Sequence, residues 1–340
     1  MDLALSSEQE QLVDSFGGLL AKASSVERVR AAEPTGHDPE LWAKLVEVGV
    51  TAMALDEAFD GWGATLLDLA LVAELAGRNL APAPIIESQV AARLLAASGS
   101  PVAAELLPGC LDGTSLLTVA VRPTDDGRLP LVPAGAVADH VIARHGDRLV
   151  VVAAGSQERR HVDNLGAQPL ADLVVTDDAV EIARGAAAAA RFDAAVDEWL
   201  VLTAAALVGI GARAQDLATG YAVERRAWGV PIGTFQAVSH PLADSATALD
   251  GARLIARKAA WAADVGDDRG PELAAMAFGF AAETARDATY RSLHVHGGYG
   301  FMLEQDVQLY YRRARGWARV WGDTQRAYRR AAAHRYGADD

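Results

Sequence analysis

The sequence predicts a mainly helical protein with a small β-domain in the middle of the chain. Three observations support this fold class. Apolar residues recur at helical spacing through the first part of the chain, short β-prone runs separated by turn signals follow, and long Ala-rich periodic segments come last. A chain of 340 residues with 51% hydrophobic residues is long enough for two or three domains. We therefore expect an N-terminal all-α domain over 1–110, a reduced middle β-domain over 111–185 and a C-terminal helical bundle over 186–340.

The N-terminal helices are predicted from their caps and their periodicity. Residues Ser7 to Glu10 have the spacing of a capping box, which predicts that an amphipathic helix begins there. Asp38 followed by Pro39 is typical of a helix cap and first turn. Two further helices are predicted at 64–76 and 85–97, between glycine and proline residues.

The middle and C-terminal parts differ in their periodicity. The β-prone runs are 116–121, 140–143 and 149–152, separated by Asp-Gly, Pro and Gly-Asp turns, and they predict a small antiparallel domain. Helical periodicity returns afterwards in four long segments, at 192–223, 235–265, 271–295 and 306–335. The predicted order is therefore α, then β, then α.

Composition excludes several classes of function. The formal net charge is −14, and the only lysines are Lys22, Lys44 and Lys258, so a broad basic surface for nucleic acid is not expected. Cys110 is the only cysteine, which excludes an intramolecular disulfide and cysteine-based zinc or iron–sulfur sites. We expect no metal.

Membrane and secretion signals are not visible. The N-terminus has no basic start with an apolar core, and the longest stretch without Asp, Glu, Lys, Arg or His, 199–212, is shorter than a bilayer span of about 20 residues. These features predict a cytoplasmic protein, and the preference for Ala, Arg and Gly over Lys suggests a bacterial source.

Two ordered motifs indicate the function. Residues 221–244 read YAVERRAWGVPIGTFQAVSHPLAD; residues 294–301 read HVHGGYGF and are followed by GDTQ at 322–325. Both closely resemble the C-terminal signatures of acyl-CoA dehydrogenases, at the expected distance from each other. The resemblance covers essentially the whole chain, because the α–β–α order is also that family's order. It implies an N-terminal helical domain, a small antiparallel β-barrel-like middle domain and a C-terminal four-helix bundle.

The resemblance also implies a cofactor and its contacts. Members of this family remove the α-proton of an acyl-CoA thioester with a Glu carboxylate while hydride leaves the β-carbon for FAD, whose adenosine and pyrophosphate end lies across a subunit interface. The positions that match cofactor contacts are Arg225, Trp228, Gln236, His294, Gly297, Gly298 and Gln325. Taken alone, Arg225 would be a solvated helix-end arginine, the two glycines would form a turn, and His294 with His296 could be metal ligands. Within the full signature the cofactor interpretation is favoured.

The family's catalytic base is missing from both of its usual positions. The residue directly before Gly322 is Trp321, and the alternative position on an earlier helix, found by counting back from Arg225, is Trp199. Glu198 and Asp323 are the remaining candidates for an unorthodox base. A step of one residue turns a side chain by about 100° around a helix, so Glu198 is expected to point away from the place of the base.

The middle domain also lacks the family's flavin-ring motifs, a Thr-Glu-Pro segment with Gly-Ser-Asp and a later aromatic strand ending in Thr-Asn or Ser-Asn. The chain therefore resembles the base-lacking subunit of actinobacterial heteromeric enzymes, α2β2 assemblies that oxidise steroid side-chain CoA thioesters. This implies a related dehydrogenase chain as partner, an acyl-CoA substrate bound mainly by that partner, and an electron-accepting flavoprotein. Two alternatives remain: a flavin-free structural partner of the same fold, and a homomeric enzyme with an unorthodox base.

Overall fold

In the computed structural model, which describes residues 4–337, the chain is helical up to Leu111 apart from its connecting turns. The helices of this part are α1 (Ser7–Ala23), α2 (Val26–Ala31), α3 (Pro39–Glu47), α4 (Leu66–Arg78), α5 (Ile85–Ser98) and α6 (Val102–Leu111). Those predicted at 64–76 and 85–97 correspond to α4 and α5, within two residues at each end.

Side-chain caps determine where α1 and α3 begin. The hydroxyl of Ser6 accepts from the backbone N–H of Gln9 at 3.2 Å, and the Gln9 side chain accepts from the Ser6 backbone N–H at 3.1 Å. The capping box thus lies one residue earlier than predicted, because Gln9 is the third residue after Ser6 and can reach back to it. Asp38 caps α3 as predicted, accepting from the backbone N–H groups of Glu40 and Leu41.

The middle part forms two small sheets. Its strands are β1 (Leu117–Val119), β2 (Arg128–Val132), β3 (His140–His145), β4 (Arg148–Ala153), β5 (Arg160–His161), β6 (Ala171–Val174) and β7 (Val180–Arg184). The strand orders are β1-β3-β4-β7 and β2-β6-β5. The pairing is antiparallel as predicted except that β1 pairs with β3 in parallel, which is possible because the intervening β2 joins the other sheet and makes a crossover.

One apolar cluster is shared by the two sheets. Val141, Val150 and Val152 of the first sheet and Leu129 and Leu173 of the second belong to it, and all are almost completely buried. These side chains alternate along their strands with side chains on the other face. The sheets are therefore held face to face, as expected for a small β-barrel-like domain.

Helices return after β7. They are α7 (Gly185–Glu224), α8 (Gln236–Asp264), α9 (Gly270–His296), α10 (Val307–Trp317) and α11 (Thr324–Tyr336), with a short hairpin of β8 (Arg226–Ala227) and β9 (Val230–Pro231) after α7. The segment predicted as one helix at 306–335 is two helices, because the chain leaves helical geometry over 318–323. Asp323 then restarts it, accepting from the backbone N–H of Arg326 at 2.9 Å.

Contacts divide the chain into two compact units that do not follow the chain order. One contains Met1–Glu27, Ala70–Ala81 and Leu200–Asp340, and the other contains Arg28–Leu69 and Pro82–Trp199. Helix α7 belongs partly to each. The three domain ranges remain a prediction, because the two units are defined by contacts between residues and the ranges were predicted from the sequence pattern.

Glycines allow α4 and α7 to pack very closely within the first unit. A Cβ on Gly77 would overlap the carbonyl oxygen of Ala206, and a Cβ on Gly209 would overlap the carbonyl oxygen of Glu74. Only glycine lets the two backbones approach to this distance. Helix α7 contains an apolar window long enough to cross a membrane, but 83% of that window is buried in the fold, which is typical of a core helix.

Candidate functional site

The fold brings the two sequence motifs together at one end of the C-terminal helices. The ring of Tyr221 on α7 stacks on the ring of His296 at the end of α9, with centroids 4.5 Å apart. Val295 packs beside them against Ala222 and Leu242. Tyr221 and His296, which are 75 positions apart in the sequence, thus join the two motifs in one surface.

Arg225 follows directly after the end of α7. Its backbone N–H donates to the carbonyl of Tyr221 and its carbonyl accepts from the N–H of Ile232, both at 2.8 Å, so its position is fixed by the helix and the following hairpin. The side chain is exposed, and within residues 4–337 its guanidinium makes no hydrogen bond or ion pair. A fixed backbone with a free guanidinium is suited to binding a diphosphate.

Trp228 lies at the tip of the same hairpin and is 91% exposed. Its φ of 49° lies in the left-handed region, which is uncommon for a tryptophan, and Gly229 follows with a φ of 83°. The Phe235 ring meets the indole edge-on, with centroids 5.7 Å apart and planes at 88°. The fold therefore presents a large apolar ring outward, which indicates a binding surface for a partner or ligand.

The glycines after α9 leave open space. Gly297 has a φ of 64°, which favours glycine, and a Cβ at Gly297 or Gly298 would meet no atom within 4 Å. His294 and Gln236 are both exposed, at the end of α9 and the start of α8 respectively. The backbone here can be approached closely by a ligand.

Gln325 lies elsewhere. It is in the first turn of α11, next to Asp323 and Thr324, which line a small pocket together with Ala282 of α9. His294 lies twelve positions after Ala282 on α9, a distance of about 18 Å along the helix. Within one chain, Gln325 therefore does not join the site formed by Arg225 and Gly297.

Both positions expected for the catalytic base hold buried tryptophans. Trp321 is 2% exposed; Phe278 meets its ring edge-on at 5.8 Å between centroids, and the Arg326 guanidinium lies 4.3 Å from the ring centroid. Trp199 is 1% exposed. Neither side chain can accept a proton from a substrate, and each fills its own space in the core.

Comparison with known proteins assigns the family. The family model of the acyl-CoA dehydrogenase N-terminal domain matches residues 6–114, and the family model of the C-terminal domain matches residues 193–335. Acyl-CoA dehydrogenase IpdE2 of Mycolicibacterium smegmatis is 32% identical over 97% of this chain and 99% of the relative. The chain belongs to the acyl-CoA dehydrogenase family. IpdE2 of Mycobacterium tuberculosis is 30% identical over 95% of this chain and 96% of the relative's length.

Solved structures agree with this assignment. A chain of the ChsE4-ChsE5 complex from Mycobacterium tuberculosis is 26% identical with a TM-score of 0.89, over the full length of both chains. A chain of a Tcur3481-Tcur3483 steroid ACAD variant is 28% identical with a TM-score of 0.87, over 96% of this chain and 97% of its own. The glutaryl-coenzyme A dehydrogenase complex with glutaryl-CoA, 22% identical, has the same fold with a TM-score of 0.91.

Acyl-CoA dehydrogenases are flavoprotein oxidoreductases, so the family implies FAD and an acyl-CoA substrate. The residues present fit the diphosphate end of this cofactor. Arg225 provides a free cation, Gly297 and Gly298 leave space for an approaching ligand, and Trp228 provides an exposed ring. Among residues 4–337 no cluster of three His, Cys, Asp or Glu side chains could hold a metal ion.

The two substitute bases are occupied in other ways. Both carboxylate oxygens of Glu198 accept from Arg93, at 2.9 Å from Nε and 3.1 Å from Nη2. Asp323 caps α11 and is exposed. Each carboxylate therefore already has a structural partner within the chain.

Glu87 was not predicted from the sequence as a functional residue. This residue lies in the first turn of α5, and its carboxyl contacts the side chain of Trp199, 112 positions later in the chain. Burial raises the pKa of Glu87 to about 7, although its own backbone N–H and the nearby indole of Trp199 act in the opposite direction. Within residues 4–337 it has no ion-pair partner. The acidic residue of a mainly apolar helix start, IIES, was the only local signal in the sequence.

Proposed function

We propose that this chain is one subunit of an FAD-dependent acyl-CoA dehydrogenase built from two related but different chains. In this proposal it holds the adenosine and pyrophosphate end of FAD, and the partner chain supplies the catalytic Glu and the seat for the flavin ring. The observation that carries the proposal is the pair of buried tryptophans, Trp199 and Trp321, at both base positions. A chain that keeps cofactor contacts without a base is explained if the other half of the site belongs to another polypeptide.

The chemistry makes the missing carboxylate decisive. FAD, when bound, accepts the hydride that leaves the β-carbon of the thioester. The α-proton must go to a positioned base, and general-base catalysis contributes about 10²–10⁴-fold. The indoles of Trp199 and Trp321 cannot accept that proton and Glu198 is paired with Arg93, so we assign the base to the partner chain.

The surface around the cofactor motifs supports a subunit contact. Exposed apolar side chains are concentrated in the two motifs and the residues beside them: Val223, Trp228, Val230, Tyr299, Phe301, Met302 and Leu303. An isolated protein rarely exposes so many large apolar side chains in two neighbouring segments. We assign this surface to the contact with the partner chain in an α2β2 heterotetramer.

The relatives suggest the substrate class. One similar structure is described as a steroid ACAD of two chains, and another as a complex of ChsE4 with ChsE5. By analogy, we assign to this chain's assembly the α,β-desaturation of a steroid-derived CoA thioester, with the electrons passed to an electron-transferring flavoprotein.

Coexpression tests the proposal. The chain is purified alone and together with each related dehydrogenase chain of the same organism, and flavin absorbance, mass and acyl-CoA-dependent dye reduction are measured. We expect little FAD and no turnover for the chain alone, and about one FAD per pair of chains with the correct partner. Stoichiometric FAD and turnover in the single-chain preparation would instead establish a homomeric enzyme. A stable complex without flavin would establish a structural subunit.

A further inference from the structure

An open pocket of about 280 Å³ lies in the second compact unit. Its walls come from the loop after α3, from the last turns of α5 and from the first half of α7. Leu55, Phe59 and Leu94 provide an apolar lining together with alanines of α5 and α7. Its volume is just below the usual range for small-molecule sites, about 300–1,000 Å³.

Four charged side chains line the pocket, and two of them neutralise each other. Arg93 and Glu198 form the bidentate pair described above, with side chains only 28% and 21% exposed. A partly buried pair of this kind also fixes the wall, because both partners have little freedom to move. The other two charged side chains of the pocket are Arg191 and Asp56.

Arg191 is the group available to a ligand. Its Nε donates to the carbonyl oxygen of Ala97 at 3.1 Å, at the end of α5, which holds the guanidinium plane in place. Within residues 4–337 its two terminal nitrogens make no hydrogen bond or ion pair. Asp56 is exposed at the pocket, and its carboxylate likewise has no partner in the described chain.

We infer that this pocket binds a small monocarboxylate with an apolar body, whose carboxylate meets the terminal nitrogens of Arg191. The apolar lining takes the body of the ligand, and the guanidinium fork matches a carboxylate. The negative charge of Asp56 repels such a ligand. Because the Asp56 side chain is exposed, water and salt screen its charge more than they screen the charge of the partly buried Arg191.

The pocket is separate from the positions of the catalytic base. Trp199 does not line it, although Glu198 does. The two side chains are about 100° apart around α7, so the helix presents them to different sides. A ligand in this pocket would therefore not occupy the acyl-CoA site that the family places beside residue 199, and its binding does not depend on flavin or on the partner chain.

A charge series of isosteric probes tests the inference on the purified full-length chain. The probes are 4-phenylbutyrate, 4-phenylbutan-1-ol and 4-phenylbutylamine, and binding is measured by ligand-observed NMR and calorimetry. For a ligand of this size we expect a Kd of about 1 mM for the carboxylate. A charge-assisted hydrogen bond to Arg191 should make the carboxylate bind roughly tenfold more tightly than the alcohol.

Four variants locate the site. Arg191→Met should remove the preference for the carboxylate over the alcohol, and Asp56→Asn should tighten carboxylate binding by about twofold to fivefold, as expected when a screened like charge is removed. Ala194→Phe should block all three probes, because Ala194 lines the pocket and is exposed, so the substitution need not disturb the core. Arg329→Met, at an exposed arginine outside the pocket, should change nothing.

The outcomes separate the possibilities. Saturable carboxylate binding that Arg191→Met weakens supports the inference. Equal binding of the three probes, carboxylate binding that survives Arg191→Met, or no saturable binding at tens of millimolar would overturn it. Tighter binding of the amine, lost in Asp56→Asn, would make this a cation site and would also overturn it. Melting curves of each variant confirm that the protein measured is folded.

Discussion

Replacement of Glu87 by Gln should stabilise this protein at neutral and alkaline pH but not in acid. The Glu87 carboxyl is largely buried beside Trp199, and burial raises its pKa from 4.5 to about 7. The folded protein therefore binds a proton at Glu87 more tightly than the unfolded chain does. Glutamine has the same shape as the protonated acid and is neutral at every pH, so it retains the packing and removes the titration.

The sign and size of the effect follow from linkage. Between pH 4.5 and pH 7 the folded state holds the proton and the unfolded state has released it, so the free energy of unfolding falls as the pH rises. Above pH 7 Glu87 lowers the free energy of unfolding no further. The full difference between the two pKa values corresponds to about 3 kcal/mol. Because part of Glu87 reaches solvent, which screens the charge, we expect Glu87→Gln to gain about 1–2 kcal/mol over the natural protein at pH 8.

Urea unfolding followed by circular dichroism at pH 5, 6, 7 and 8 measures this difference. Glu105→Gln, which neutralises an exposed carboxylate on α6, is the matched control and should give a difference that changes little with pH. The reasoning about burial is refuted if the stability gained by Glu87→Gln does not grow between pH 5 and pH 8, or if the control shows the same growth.

Three further predictions concern the cofactor motif and the tryptophans. Arg225→Ala should lower FAD affinity in the assembled complex roughly tenfold to a hundredfold, measured by flavin retention during dialysis, with little change in melting temperature because the side chain is exposed. Trp321→Ala should destabilise the fold by about 3–5 kcal/mol in urea unfolding, whereas Trp228→Ala, at a 91% exposed ring, should cost less than about 0.5 kcal/mol; equal losses would contradict the packing argument. Trp321→Glu and Trp199→Glu should not give the isolated chain dye-reduction activity, because the thioester and the flavin must also be positioned. Activity of either variant with bound flavin would contradict this, since it would show that the site lacked only the base.

Periodicity and motif spacing predicted much of the fold and part of the site. The helices α4 and α5, the Asp38 cap and the strands at 140–145 and 148–153 were within reach because their signals are local. The break between α10 and α11 was missed, since helical periodicity continues on both sides of it and Asp323 caps a helix with no proline to mark the stop. The parallel pairing of β1 with β3 was missed because it depends on β2 leaving for the other sheet.

The sequence by itself determined which chemical groups this chain has to offer: the two cofactor motifs, and tryptophan at both positions where a base is expected. Only the tertiary structure decided what surrounds those groups. It places Glu87 against Trp199, commits Glu198 to Arg93 and stacks Tyr221 on His296, and these pairs are separated by 112, 105 and 75 positions in the chain. Helical periodicity extends over a few turns and identifies the buried face of a helix, but not the side chain it meets. The partner of a buried carboxyl, and hence its protonation, is set by packing between elements that no local pattern connects.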